Sequence, residues 1–156
     1  MASESNPPTA TASPIKVAII EDQRNIRESL SFLVDGTEGF SCTGSYPSME
    51  EALDKIPAVM PDVVLSDIGL PGINGIEGVK ILKARYPNLV ILMLTVYEDD
   101  ERIFDAMCAG ASGYLLKKTP PARLLESLKE AVTGGAPVSP EVARRATSLF
   151  SAIPPP

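Results

Sequence analysis

Apolar residues gather along the chain in five short runs, and four of them stop abruptly at a charged or hydroxyl side chain. Val17-Ala18-Ile19-Ile20 stops at Glu21-Asp22. Phe40 to Tyr46 is a weaker run with polar interruptions. Val63-Val64-Leu65-Ser66 stops at Asp67, with the turn formers Pro71-Gly72 beyond it. Val90-Ile91-Leu92-Met93-Leu94, the most apolar run, stops at Thr95, and Gly113-Tyr114-Leu115-Leu116 stops at Lys117-Lys118. Short apolar runs bounded in this way predict buried strands.

The segments between them carry apolar positions at helical spacing instead. Ile26, Leu30, Leu33 and Val34 predict a helix closed by Asp35-Gly36. Met49 to Ile56 predicts a short helix, with Ser48 as its N-cap and Pro57 as its limit. Gly75 to Tyr86 predicts a third, with Ile76, Val79 and Leu82 on one face and Pro87-Asn88 breaking it. A fourth, acidic helix runs roughly from Asp99 to Ala109, with Ile103 and Met107 inward and Gly110 as terminator. The fifth starts at Thr119-Pro120, sets Leu124, Leu128 and Val132 on its face and ends at Gly134-Gly135.

Strand and helix thus alternate five times. That predicts an α/β fold, a (βα)5 doubly wound parallel sheet with helices on both faces. The strongest apolar runs, the first, third and fourth, belong in the middle of the sheet. The weaker second and fifth belong at its edges. The predicted strand order is 2-1-3-4-5, the flavodoxin-like arrangement.

The ends of the chain differ from this body. Residues 1–14 are Ala, Ser, Thr, Pro and Asn with a single charge at Glu4, and they read as a disordered leader. The folded domain spans about 15–134, and 135–156 is a linker. Within it Ser139-Pro140-Glu141 is a helix start, and Val142, Ala146, Leu149 and Phe150 give a helix of about 140–150 an apolar stripe. Three prolines close the chain.

Composition narrows the function. The 156 residues suit one domain plus tails, and 44% hydrophobic content with 5% aromatic and no Trp predicts an aliphatic core. A net charge of −6 argues against direct nucleic-acid binding by this chain. The absence of His excludes a His-based triad and nearly excludes zinc and haem sites. Cys42 and Cys108 have no metal spacing and read as reduced thiols. With no signal peptide and no run of about eighteen apolar residues, the expected setting is cytoplasmic and away from membranes.

In a parallel sheet the carboxyl ends of the strands share one edge, so Glu21, Asp22, Asp67, Thr95 and Lys117 should converge. Two carboxylates about 4 Å apart repel by roughly 4 kcal/mol at an effective dielectric near 20. Three acids together must hold protons or a cation, and an oxygen-only donor set suits Mg²⁺. Such a metal beside Asp67 would neutralise a phosphoryl group and align it for attack by the carboxylate. Lys117 offers a mobile point charge and Thr95 a hydroxyl donor to phosphoryl oxygens.

The order Glu21-Asp22, Asp67 with Pro71-Gly72, Thr95, Tyr114 and Lys117 resembles the receiver (CheY-like) domain of bacterial two-component response regulators. Asp67-Ile68-Gly69-Leu70-Pro71-Gly72 with Gly113 to Lys117 is most similar to the NarL/FixJ (LuxR-type) subfamily, whose members carry a helix-turn-helix domain after the receiver. Pro137 to Glu141 resembles their interdomain linker; the chain stops soon after it, so the output domain is expected to be missing. The resemblance implies the same strand order, so the two readings are not independent.

It further implies that Asp67 is the phosphoacceptor. Asp22, Asp67 and the Gly69 backbone carbonyl would hold Mg²⁺, with Glu21 acting through a metal-bound water. Thr95 and Lys117 would engage phosphoryl oxygens, and Tyr114 would be a switch aromatic that rotates inward. The donor would be a phosphohistidine on a sensor histidine kinase. Phosphorylation would change the surface of the fourth helix, fifth strand and fifth helix, admit a homodimer and control an output, transcription foremost. The protein would be a switch with self-catalysed phosphotransfer and autodephosphorylation rather than an enzyme. Two other readings stand beside it. One is a stand-alone receiver acting through protein–protein contacts. The other is an Asp-nucleophile phosphohydrolase, which would want a second acid at position 69, where the chain has Gly. Many receivers follow the lysine with proline in a cis peptide; here Lys118 follows, so a trans bond is expected.

Overall fold

The computed structural model describes residues 13–151, the last six by their backbone only. The leader up to residue 12, the final prolines and the side chains of Ala146, Leu149 and Phe150 lie outside the described residues. In chain order the elements are β1 (Ile15–Ile20), α1 (Arg24–Asp35), β2 (Phe40–Tyr46), α2 (Met49–Lys55) and, after a 3₁₀ turn, β3 (Val63–Ser66). Then come α3 (Gly75–Arg85), β4 (Val90–Thr95), α4 (Asp100–Ala109), β5 (Gly113–Leu116), α5 (Pro121–Val132) and α6 (Pro140–Ser151).

The five strands form one parallel sheet in the order β2-β1-β3-β4-β5, as the distribution of apolar runs predicts. Period-two alternation divides the strand residues between two faces. Ala18, Ile20, Val64, Ile91, Met93 and Tyr114 pack with Met49, Val79, Leu82 and Ile103 of α2, α3 and α4. Val17, Ile19, Val63, Leu65, Leu92, Leu94 and Leu115 pack with Val34 of α1 and Leu124 and Leu128 of α5. Both faces are dry, which is why the central strands carry continuous apolar runs. The edge strand β2 is only partly buried, and Thr43 is an extra residue there, since Val17 pairs with Cys42 and Ala18 with Gly44.

Three helices start on side-chain caps. Ser48, Asn74 and Asp99 accept from the backbone N–H of Glu51, Glu77 and Arg102. The start of α5 differs from the sequence-based expectation. Pro120 is the cap and Pro121 the first helical residue. The reason is steric: a residue that precedes proline is pushed out of the helical region, and Pro120 precedes Pro121. It adopts φ −62° and ψ 149° accordingly. Helix α6 forms where its start signal places it, and its Val142 is fully buried. The expected capping hydroxyl of Ser139 is turned elsewhere, onto the Leu116 N–H at 2.9 Å. No cis peptide bond occurs among the described residues. No described helix is long and apolar enough to cross a membrane.

Candidate functional site at the carboxyl edge of the sheet

The sheet ladder continues one residue past the strand ends and fixes the residues that matter. Glu21 N–H donates to the Tyr46 carbonyl at 3.0 Å, Asp67 N–H to that of Ile20 at 3.1 Å, and Lys117 N–H to that of Thr95 at 2.8 Å. Three functional side chains thus leave a backbone already held by a neighbouring strand. Arg27, on the first turns of α1, donates to the Glu21 carbonyl at 2.8 Å and to that of Asp22 at 3.3 Å, which holds the acidic turn against the helix. Behind Asp67, Gly75 lets α3 begin directly on the strand end: a Cβ there would collide with the Asp67 carbonyl oxygen.

Glu21, Asp22 and Asp67 offer carboxylate oxygens that all lie within 4.8 Å of one another. Glu21 is 2% exposed and Asp67 8%, whereas Asp22 faces solvent. Lys117 Nζ bridges the two buried acids, 2.6 Å from Glu21 Oε1 and 3.0 Å from Asp67 Oδ2. Asp67 Oδ1 accepts from the Ile68 N–H at 2.7 Å. Burial raises the Glu21 carboxyl above its usual range, against the lowering effect of its bond to Lys117. Burial by itself would lower the Lys117 ammonium, but its hydrogen bonds to Glu21 and Asp67 outweigh that and raise it.

The cluster therefore sets three acids against one lysine. A divalent cation would neutralise the remaining charge, and the donors present are all oxygen, one of them open to solvent. That set fits Mg²⁺, a hard ion that keeps several waters.

Thr95 is fully buried, and its Oγ1 accepts from the Tyr97 N–H at 3.4 Å. Tyr114 is also fully buried and donates its hydroxyl to the Tyr97 carbonyl at 2.6 Å. The sequence-based expectation was that Tyr114 turns inward on phosphorylation; here it is inward already. Val138 and Val142 of the C-terminal segment pack in the same core cluster as Tyr114. Gly69 is exposed, and a Cβ on it would lie 3.2 Å from the Tyr97 ring. The Arg102 guanidinium stacks on the ring 4.1 Å from its centroid.

Glu21, Asp22, Asp67, Thr95 and Lys117 thus stand at this one edge, with Gly69 two residues past Asp67, while Tyr114 lies within β5 and its side chain in the core. Tyr97 and Arg27 were not predicted. Tyr97 lies two residues past Thr95, and its spacing gives no sign that its backbone carbonyl would anchor Tyr114.

A family profile described as the response regulator receiver domain matches residues 17–129. The chain belongs to the response regulator receiver family. This receiver is 35% identical over 128 residues to the transcriptional regulatory protein LnrK of Bacillus subtilis, a match covering 82% of the chain and 58% of that protein. It is 37% identical over 120 residues to the DNA-binding transcriptional activator DevR/DosR of Mycobacterium tuberculosis, covering 77% of the chain and 55% of that protein. The receiver chain therefore spans little more than half the length of these relatives. Among solved structures it is similar to a LuxR-family two-component response regulator from Aurantimonas sp. SI85-9A1, with a TM-score of 0.82, 26% identity and coverage of 89% of this chain and 99% of that one. The response regulator ChrA of a heme-sensing two-component system is 28% identical, with a TM-score of 0.72 over 93% of this chain and 70% of that one. The relatives are signalling proteins of the LuxR/NarL type, and the fold and subfamily are those the sequence pattern resembles.

Proposed function

We propose that this receiver is a phosphorylation switch whose acceptor is Asp67. One observation carries the reading: a lysine ammonium sits 3.0 Å from a nearly buried aspartate at a strand end, inside a three-acid cluster. A buried carboxylate with a cation at its side is poised both to attack and to have its product charge neutralised.

One Asp67 carboxylate oxygen attacks phosphorus, an O–P bond forms, and the N–P bond of a phosphohistidine on a sensor histidine kinase breaks with its electron pair returning to the imidazole. Asp22, Asp67 and the Gly69 backbone carbonyl would hold Mg²⁺, with Glu21 completing the acidic set, and the ion when bound would supply charge neutralisation for the phosphoryl oxygens. Lys117 follows the charge from the free carboxylate to a phosphoryl oxygen. Thr95 donates its hydroxyl proton to another, a role its oxygen can fill while still accepting from the Tyr97 N–H. The same groups serve the later hydrolysis, in which water attacks phosphorus, the O–P bond to Asp67 breaks and inorganic phosphate leaves, so the protein removes its own modification.

Phosphorylation replaces the single negative charge of the Asp67 carboxylate with about −1.5 to −2 on the phosphoryl oxygens, and the response passes through Thr95 and Tyr114 to the α4–β5–α5 side. LnrK and DevR/DosR are transcriptional regulators, which supports gene control in the cytoplasm as the output and a sensor kinase as the partner. The experiment is Mg²⁺ with acetyl phosphate, read by intact mass. The wild type should gain one phosphoryl group and Asp67→Asn none; equal gains in both would overturn the assignment.

A further inference from the structure

Strand β5 stands last in the sheet, and a bare last strand presents a row of unpaired N–H and C=O groups. Residues 137–139 fill that row. Tyr114 N–H donates to the Pro137 carbonyl at 3.0 Å, and Ser139 N–H to the Tyr114 carbonyl at 3.1 Å. Leu116 N–H donates to Ser139 Oγ at 2.9 Å. Val138 pairs in parallel with Tyr114. Gly113 makes the approach feasible, since a Cβ on it would collide with the Pro137 carbonyl.

Helix α6 then lies along α4. Val142 is fully buried in the cluster that holds Ile103, Ala106 and Tyr114. Two ion pairs flank it, Lys118 to Glu141 at 2.7 Å and Arg145 to Asp100 at 3.2 Å. Both are exposed, so they contribute orientation more than free energy.

The contacts reach into the Asp67 site by two routes. Ser139 Oγ holds the Leu116 N–H, while Thr119 Oγ1 donates to the Leu116 carbonyl at 2.6 Å. Two hydroxyls thus grip the residue before Lys117, whose Nζ meets Asp67. Tyr114 gives the second route: its backbone is bound to the segment on both sides, and its hydroxyl is bound to the loop after Thr95.

We infer that residues 137–145 act as an intramolecular ligand of the α4–β5 face, and that their docking is coupled through Ser139 and Tyr114 to occupation of the Asp67 site. The inference rests on the phosphoacceptor reading above. The segment is seated on the buried form of Tyr114. Whatever favours that form strengthens docking, and docking favours it in return by the same factor. The face that relays the signal is therefore occupied by the chain itself, and any partner using that face must displace the segment.

The test uses the 156-residue chain with Mg²⁺ and beryllofluoride as a phosphoryl mimic, read by amide hydrogen exchange and by the affinity for the mimic. In the wild type the mimic should slow exchange at Tyr114, Leu116, Ser139 and Ala143 by at least about fivefold, the lower end of ordinary coupling between sites. Val142→Asp, which puts a charge into the buried contact, should weaken mimic binding by the same factor. Ser139→Ala removes the Leu116 bond and the 3.4 Å contact with Thr119 Oγ1 but leaves the apolar packing of Val142, and serves if Val142→Asp unfolds; it should weaken binding in the same direction. Undiminished affinity in the folded variants, or binding that leaves exchange over 137–145 unchanged, would overturn the coupling and leave Asp67 as the acceptor. No binding to the wild type would overturn both.

Discussion

Asp67 owes its position to neighbours that carry no chemistry. Its N–H is held by Ile20, its Oδ1 by the Ile68 N–H, and its carbonyl is approached closely only because residue 75 is glycine. Gly75→Ala should push α3 off the strand end and destabilise the fold by about 1–3 kcal/mol, the usual cost of overpacking. Urea unfolding checks the stability, and labelling by acetyl phosphate with Mg²⁺ should fall with it. Tyr114 gives a pH signature. Burial holds its phenol above the ordinary value near 10. A group with a raised folded pKa contributes stability that is full below the unfolded value and is lost as pH rises towards the folded one. The alkaline decline in stability above pH ~10 should therefore be shallower in Tyr114→Phe, as denaturant midpoints across that range would report. The acids, Thr95 and Lys117 were legible in the sequence because a strand end is visible wherever an apolar run stops. Tyr97, Arg27 and the Ser139 hydroxyl were not. Their roles depend on how a loop or first helical turn aims single atoms, which apolar periodicity does not encode.

The elements were legible wherever burial sets them. Both core faces follow from alternation within the strands, and the expected cap Ser48 accepts from the Glu51 N–H. Asn74 caps the helix that begins just past Asp67, with Oδ1 2.9 Å from the Glu77 N–H. Asn74→Ala should cost about 1 kcal/mol of stability by chemical denaturation, with the fold retained. What escaped prediction at this scale was local stereochemistry and a single rung. Two consecutive prolines moved the start of α5 by one residue. Residues 137–139 make one parallel bridge to β5, too short to leave any hydrophobic period, although Pro137 reads as a break rather than as part of a sheet.

For the molecule as a whole, charge and length matter most. Twenty acids against fourteen cationic residues leave a net charge of −6, and three of those acids meet in one cluster. Mg²⁺ should raise the melting temperature, with a stabilisation of about 2.7 kcal/mol once free metal exceeds its dissociation constant a hundredfold. Asp22→Ala should remove that response while leaving the metal-free protein at least as stable, since one repelling charge is gone; thermal scans with and without metal separate the two effects. The fold extends beyond the five strand–helix units, because the C-terminal segment shares a core cluster with α4 and β5. The row of bonds along β5 also bears on solubility. Cut the chain after Gly135, and the N–H groups of Tyr114 and Leu116 and the Tyr114 carbonyl lose their partners, with Ile103 and Ala106 uncovered beside them. An open, apolar strand edge recruits strands from other molecules. The shortened protein should self-associate with rising concentration in sedimentation velocity, whereas the intact chain keeps the same edge closed. Pro137 and Ser139 would then guard against aggregation whether or not Asp67 is ever modified.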